Sequence, residues 1–214
     1  MDVYVSIVRF FQEGGAFMYP IMVVLAGGVA IALERYIYLT ISKRSTNKLW
    51  SQLLPLFNKG DFQRAMDVAS SSRHAIGKVL AYGLGRTKSA RRREDIESAL
   101  EEGMMEIIPR LERRTHYLAT FANIATLLGL LGTIIGLIQA FTAVSNADPS
   151  QKADLLSSSI SVAMNTTAFG LMVAIPLLLF YTVLQTKTTE IVDSLEMATV
   201  KFVNIITARV GKSE

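Results

Sequence analysis

The 214-residue chain contains no cysteine, which excludes a disulfide, a thiolate metal ligand and a cysteine nucleophile. Histidine is nearly as scarce. His74 and His116 are the only two, stand 42 residues apart and have no acidic partner at ligand spacing, so neither a metal nor a cofactor is expected. Phosphate-binding patterns are missing as well. Gly83 and Gly85 in AYGLGRTK complete none, and the glycines of GLLGTIIG have no following lysine and no strand before them. There is no repeat at a solenoid period, and the nearest thing to a low-complexity segment is Ser157–Ser159. With these signatures absent, we do not expect an enzyme.

Charge is absent from two long runs, Tyr117 to Asn146 and Leu155 to Thr186. A helix crosses the hydrocarbon core of a bilayer with roughly 20 apolar residues at about 1.5 Å each, and both runs are long enough. A buried helix in a water-exposed domain seldom stays uncharged for so long. A third apolar stretch, Ala16 to Leu33, is closed by Glu34 and Arg35 and then by Lys43 and Arg44. A cleaved signal peptide would carry its basic residues in front. Here only Arg9 precedes the stretch, with Glu13 beside it, so an uncleaved first span is expected.

The fold class read from this pattern is an all-α integral membrane protein with three transmembrane helices, the second and third continuing into a polar helical region. The expected segments are an interfacial amphipathic helix over 1–15, a first span over 16–42, a polar helical region over 43–116, a second span over 117–146, a short loop over 147–154, a third span over 155–186 and a tail helix over 187–214.

Lysine and arginine set the orientation, because they concentrate on the cytoplasmic side of membrane proteins. Of 22 in total, 15 lie between Lys43 and Arg114 and four follow Thr186. The N-terminus and the 147–154 loop are therefore expected outside, and the 43–116 region and the tail inside. The pI of about 9.4 follows from this inside bias, so nucleic acid is not an expected partner.

The polar region reads as helical. Thr46 to Phe57 is moderately amphipathic, Asp61 is placed to cap FQRAMDVASS, and a third helix is expected over His74 to Arg86. Glu94 to Arg114 carries an apolar stripe of Ile96, Leu100, Met104, Ile107 and Leu111 and is expected to run into the second span as one long helix, with Pro109 as a site for a kink. The ARRRED run around Arg91 to Arg93 has two readings, a contact with the anionic headgroups of membrane lipids and a solvated or salt-bridged face, of which the second is expected.

The two uncharged runs have polar, small-residue sides. Gly129, Gly132 and Gly136 recur at three- and four-residue spacing and let another helix come close. Thr126 and Thr133 lie seven apart and share a face with Ala140; such hydroxyls commonly bond back to a carbonyl four residues earlier. In the third span Ser159, Ala163, Thr167, Gly170 and Ala174 fall on one face. Asn165 lies off that face beside Ser158 and Ser161, where an amide in lipid needs a partner or water, and is a candidate inter-subunit contact. Pro176 frees a backbone carbonyl near the inner half. No Asp, Glu, His or Lys sits mid-membrane in any span, so a proton path through this chain would need its titratable carrier from another protein.

The motif LLGLLGTIIGLIQAF, followed by TTAFGLMVAIP, resembles the MotA/TolQ/ExbB proton-channel family. Three spans and a large inner region are most similar to the ExbB and TolQ branch, since the MotA type has four spans. The resemblance also takes in Glu34–Arg35 and GDFQRAM. It implies a homopentamer in a bacterial inner membrane, N-terminus periplasmic and C-terminus cytoplasmic, whose second and third spans line a pore. Two copies of an ExbD- or TolR-like single-span protein, each bearing an aspartate, would occupy that pore, and the motor would act on a TonB- or TolA-like protein. The family's threonines map to Thr133 and Thr167, which with Thr166 and Thr126 are the expected pore-lining residues.

The chain departs from the pattern at Val162, where many relatives of that branch have glutamate, and near Thr126, where many have proline before the LLGLLGT run. Asn165 would partly hydrate the region around Val162. Two other functions fit the same residues: a non-conducting scaffold that gathers membrane proteins on its glycine faces, and a stator driven by sodium.

Overall fold

The computed structural model describes Phe10 and residues 14–87, 89–90, 92–145 and 147–210. These residues form six helices and no strand: α1 (Met18–Lys59), α2 (Phe62–Ser71), α3 (Ala75–Thr87), α4 (Arg93–Glu112), α5 (His116–Ser145) and α6 (Lys152–Val210). Three stretches, α1, α4 with α5, and α6, are long and apolar enough to cross a membrane. Of the interfacial helix expected over 1–15, only Phe10, Gly14 and Gly15 fall among the described residues. Arg91, Asn146 and the last four tail positions also lie outside them.

The chain divides into two compact units, one of Met1–Glu34 with Arg114–Thr182, the other of Arg35–Arg113 with Val183–Glu214. In the first unit the core is built of small residues. Ala122, Ala125, Gly129, Gly132 and Ala140 of α5 are buried, as are Ala163, Gly170 and Ala174 of α6. Met18, Ile21, Leu118 and Leu177 are fully enclosed between them. Large apolar side chains point outward instead, among them Leu127, Ile134, Phe141, Met164 and Leu179. Lipid is as apolar as leucine, so helices in it associate by close backbone contact and not by hiding hydrocarbon. An arrangement of alanine and glycine inside with leucine and phenylalanine outside follows from that. The charged residues Glu34 and Arg114 meet at 3.7 Å at the ends of their segments.

The second unit has a core of larger apolar side chains. The α4 stripe of Ile96, Leu100, Met104, Ile107 and Leu111 is buried in full, as the 3.6-residue period requires. Phe57 packs edge-on against Phe202 with ring centroids 5.0 Å apart. The Asp61 carboxylate accepts the backbone N–H of Arg64 at 3.1 Å and caps α2 as expected. Arg35 is buried at 3% exposure. Its guanidinium donates to the Leu111 carbonyl, one of the last-turn acceptors of α4 that has no helical partner, and lies 4.8 Å from the centre of the Tyr38 ring. Lys187 stands over Tyr36 at 3.6 Å and donates to the Thr40 hydroxyl at 3.1 Å, while Lys43 pairs with Glu190 at 2.6 Å.

Two features differ from the sequence reading. The Thr46–Phe57 segment is no separate helix but the continuation of α1, with Pro55 accommodated inside it. The helix expected to run unbroken from Glu94 into the second span instead stops at Glu112 and restarts at His116. The break is not at Pro109, which stays inside α4. It comes at Arg114, whose φ of 68° places a non-glycine residue in the left-handed region that commonly ends a helix.

Candidate functional site, a hydroxyl pair between two apolar helices

The α5 and α6 helices pack antiparallel, and their contacts run in opposite order along the two chains: Gly129 against Gly170, Thr133 against Thr167, Gly136 against Ala163. The closest approach is at the glycine pair. A methyl group on Gly170 would stand 2.6 Å from the Ala125 carbonyl oxygen and 3.1 Å from Gly129 Cα. Neither neighbour is a side chain that can swing away, so only glycine fits.

This approach brings the two threonines together. Their hydroxyl oxygens touch directly. Thr167 also donates to the Gly129 carbonyl at 3.0 Å. Thr133 has two acceptors in reach, the Ala163 carbonyl at 3.0 Å and the Gly129 carbonyl at 3.2 Å. Each hydroxyl has one proton and can both donate and accept. In one arrangement Thr133 donates to Thr167, which donates to Gly129. In the other Thr167 donates to Thr133, which donates to Ala163 or Gly129. Both leave every donor satisfied, so the pair can reverse its direction by rotating two C–O bonds.

The other residues picked from the sequence lie apart from the pair. Thr126 bonds back to the Ala122 carbonyl at 3.1 Å, the ordinary use of a threonine in a membrane helix. Thr166 is buried at 2% exposure, and its hydroxyl reaches the Gly14 carbonyl at 2.6 Å. Gly132 faces Thr166 and Phe17, and Gly136 faces Ala163. Asn165 is half-buried, and Pro176 lies exposed inside α6. Sequence reasoning missed the Gly14 contact, for which the only signal was the Gly14–Gly15 pair ahead of an apolar run. Among the described residues there is no group of three His, Cys, Asp or Glu that could hold a metal.

An all-helical chain with three membrane-length stretches and a polar seam between two of them is a membrane protein with the parts of a channel or transport subunit. The chain belongs to the MotA/TolQ/ExbB proton channel family, which residues 71–197 match. It is 29% identical over 194 residues to an ExbB homologue of Methanothermobacter thermautotrophicus named for biopolymer transport, covering 90% of this chain and 67% of that one. An ExbB-like protein of Synechocystis, likewise named, is 30% identical over 196 residues, covering 86% and 72%. The Tol-Pal system protein TolQ of Haemophilus influenzae is 34% identical over 93 residues, covering 44% and 40%. These relatives set the chain in the ExbB and TolQ branch.

Proposed function

We propose that the protein is the ring-forming subunit of an ion-driven motor in a bacterial inner membrane, its N-terminus periplasmic and its polar helical region and tail cytoplasmic. Five copies surround two helices of an ExbD- or TolR-like partner, and the ring conducts protons past the partner's aspartate. The observation that carries this reading is the Thr133–Thr167 hydroxyl pair, set between two spans whose sequences, over 117–146 and 155–186, contain no Asp, Glu, His or Lys.

The chemistry follows from the pair's reversibility. A hydroxyl donates to an ionised carboxylate and accepts from a protonated one, so Thr167 and Thr133 serve the partner's aspartate in either state. Protonation removes the aspartate's charge and lets its helix move against the ring, and release on the inner side restores the charge. One unit charge falling through 100 mV supplies about 2.3 kcal/mol, enough to bias a small step. Two helices within five subunits make the motion rotary, and the partner's outer domain carries force to an envelope protein of TonB or TolA type.

Thr167→Val keeps the shape and removes the hydroxyl. In vesicles reconstituted with the single-span partner, it is expected to abolish partner-dependent proton flux while native mass spectrometry still shows five subunits and two partners. Undiminished flux would sink the assigned role.

A further inference from the structure

Thr166 neighbours Thr167 in sequence but is engaged elsewhere. The Gly14 carbonyl lies just ahead of α1, is buried, and receives no backbone N–H among the described residues. Left alone in an apolar setting, such a carbonyl would cost the desolvation of an unpaired acceptor. The Thr166 hydroxyl satisfies it at 2.6 Å, while its alternative acceptor, the Val162 carbonyl on its own helix, lies at 3.0 Å.

The rest of the turn is shaped to the same place. Gly15, at φ 74°, bends the chain so closely over α6 that a methyl group there would come within 3.2 Å of Val162 Cγ1. Gly132 of α5 leaves room for both Phe17 Cβ and the Thr166 methyl group. Phe10 adds an edge-on contact with Phe169 at 6.2 Å between ring centres. Together these contacts, of which only the hydroxyl bond is polar, seat the turn across α5 and α6 at the height of the hydroxyl pair.

We infer that Thr166 is a positioning residue: its hydroxyl anchors the Gly14–Phe17 turn over the α5–α6 pair, and it is not itself part of the ion path. The turn covers the flank of α6 next to Thr167 and closes that side of the hydroxyl pair to lipid and water. The part of this inference that concerns conduction rests on the channel reading; the anchor does not.

The absence of native cysteine allows a single nitroxide label at Ala16→Cys, an exposed position on the turn. In the reconstituted pentamer with its partner, the label is expected to be immobilised in the parent and in Thr166→Ser, which keeps the hydroxyl. Thr166→Val is expected to lower the docked-to-undocked ratio of the spectrum roughly fivefold, the loss of one neutral hydrogen bond. Proton flux in the same vesicles is expected to persist in Thr166→Val and to be lost in Thr167→Val. An unchanged spectrum in Thr166→Val overturns the anchor. Equal mobility in Thr166→Ser overturns it too, since the methyl packing would then be what holds the turn. Flux lost in Thr166→Val with the label still immobilised returns Thr166 to the ion path. If the parent conducts nothing, the channel reading fails and the spectra alone decide the anchor.

Discussion

Thr133 and Thr167 place their hydroxyl oxygens in direct contact across α5 and α6, 34 residues apart in the chain. Between them they reach the carbonyls of Gly129 and Ala163, so the pair has more acceptors than protons. That surplus lets it change direction without leaving a part-buried donor unpaired, and it separates the role proposed for the pair from its structural one.

Thr133→Val is therefore expected to cut partner-dependent flux sharply while changing stability by less than about 1 kcal/mol, because Thr167 keeps the Gly129 carbonyl as its acceptor. Thr133→Ser should conduct. Residues that act as a unit are not additive, so Thr133→Val with Thr167→Val is expected to be no worse than either alone. Flux assays on Thr133→Val, Thr133→Ser, Thr167→Val and the double variant check this, and residual flux in both single valine variants that falls further in the double would mean two independent steps.

The glycines make a second prediction. Gly170→Ala drives a methyl group toward the Ala125 carbonyl and Gly129 Cα, both backbone, so the helices must part and the hydroxyl pair with them. Overpacking of this kind costs about 1–3 kcal/mol. Gly85 is the control: it lies exposed in α3, and the nearest atom to an added methyl is Met66 Cε at 3.8 Å. Gly85→Ala is expected to raise stability by about 0.4–1 kcal/mol by restricting the unfolded chain. Thermal unfolding in detergent should move in opposite directions for the two.

What could be read from the sequence divides along the same physical lines. The uncharged runs, the α4 stripe and the Asp61 cap depend on local spacing and chemistry, and local signals reveal them. The glycine spacing of α5 showed that a helix comes close there, though not which one. The break at Arg114 was hidden because the segment RLERRTH has neither glycine nor proline where the helix stops, and Pro109 drew the kink to itself. The Thr166–Gly14 bond joins residues 152 apart, and no periodicity encodes such a contact.

The second unit has a pH dependence of its own. The Tyr82 hydroxyl donates to Glu106 at 2.6 Å, and Arg110 holds the other carboxylate oxygen at 2.5 Å. The tyrosine hydrogen bond, helped by the charges of Arg110 and Lys78, holds the Glu106 carboxyl below its ordinary value, and the same bond pushes the Tyr82 hydroxyl up. A depressed carboxyl contributes stability that is present above its unfolded pKa and lost as pH falls through the folded one. A raised tyrosine contributes stability that is present below its unfolded pKa of about 10 and lost as pH climbs through the folded one. Tyr82→Phe is thus expected to melt below the parent at neutral pH, with the gap narrowing as Glu106 is protonated. A gap that stays constant from pH 7 to well below the usual carboxylate range would assign it to packing.

Arg114 offers the last test, because backbone strain and an ion pair oppose each other in one residue. Its φ of 68° costs a non-glycine residue about 1–2 kcal/mol, and the position just past a helix end is where glycine is most at home. Against this stands its ion pair with Glu34 at 3.7 Å, about half exposed on both sides, a type of contact worth about 0–1 kcal/mol. The strain outweighs the pair. Arg114→Gly is expected to raise the melting temperature, and Arg114→Ala, which loses the ion pair and keeps the strain, to leave it unchanged or lower it. If glycine lowers the melting temperature as much as alanine does, the Glu34 pair outweighs the backbone, and Arg114 is retained for its charge.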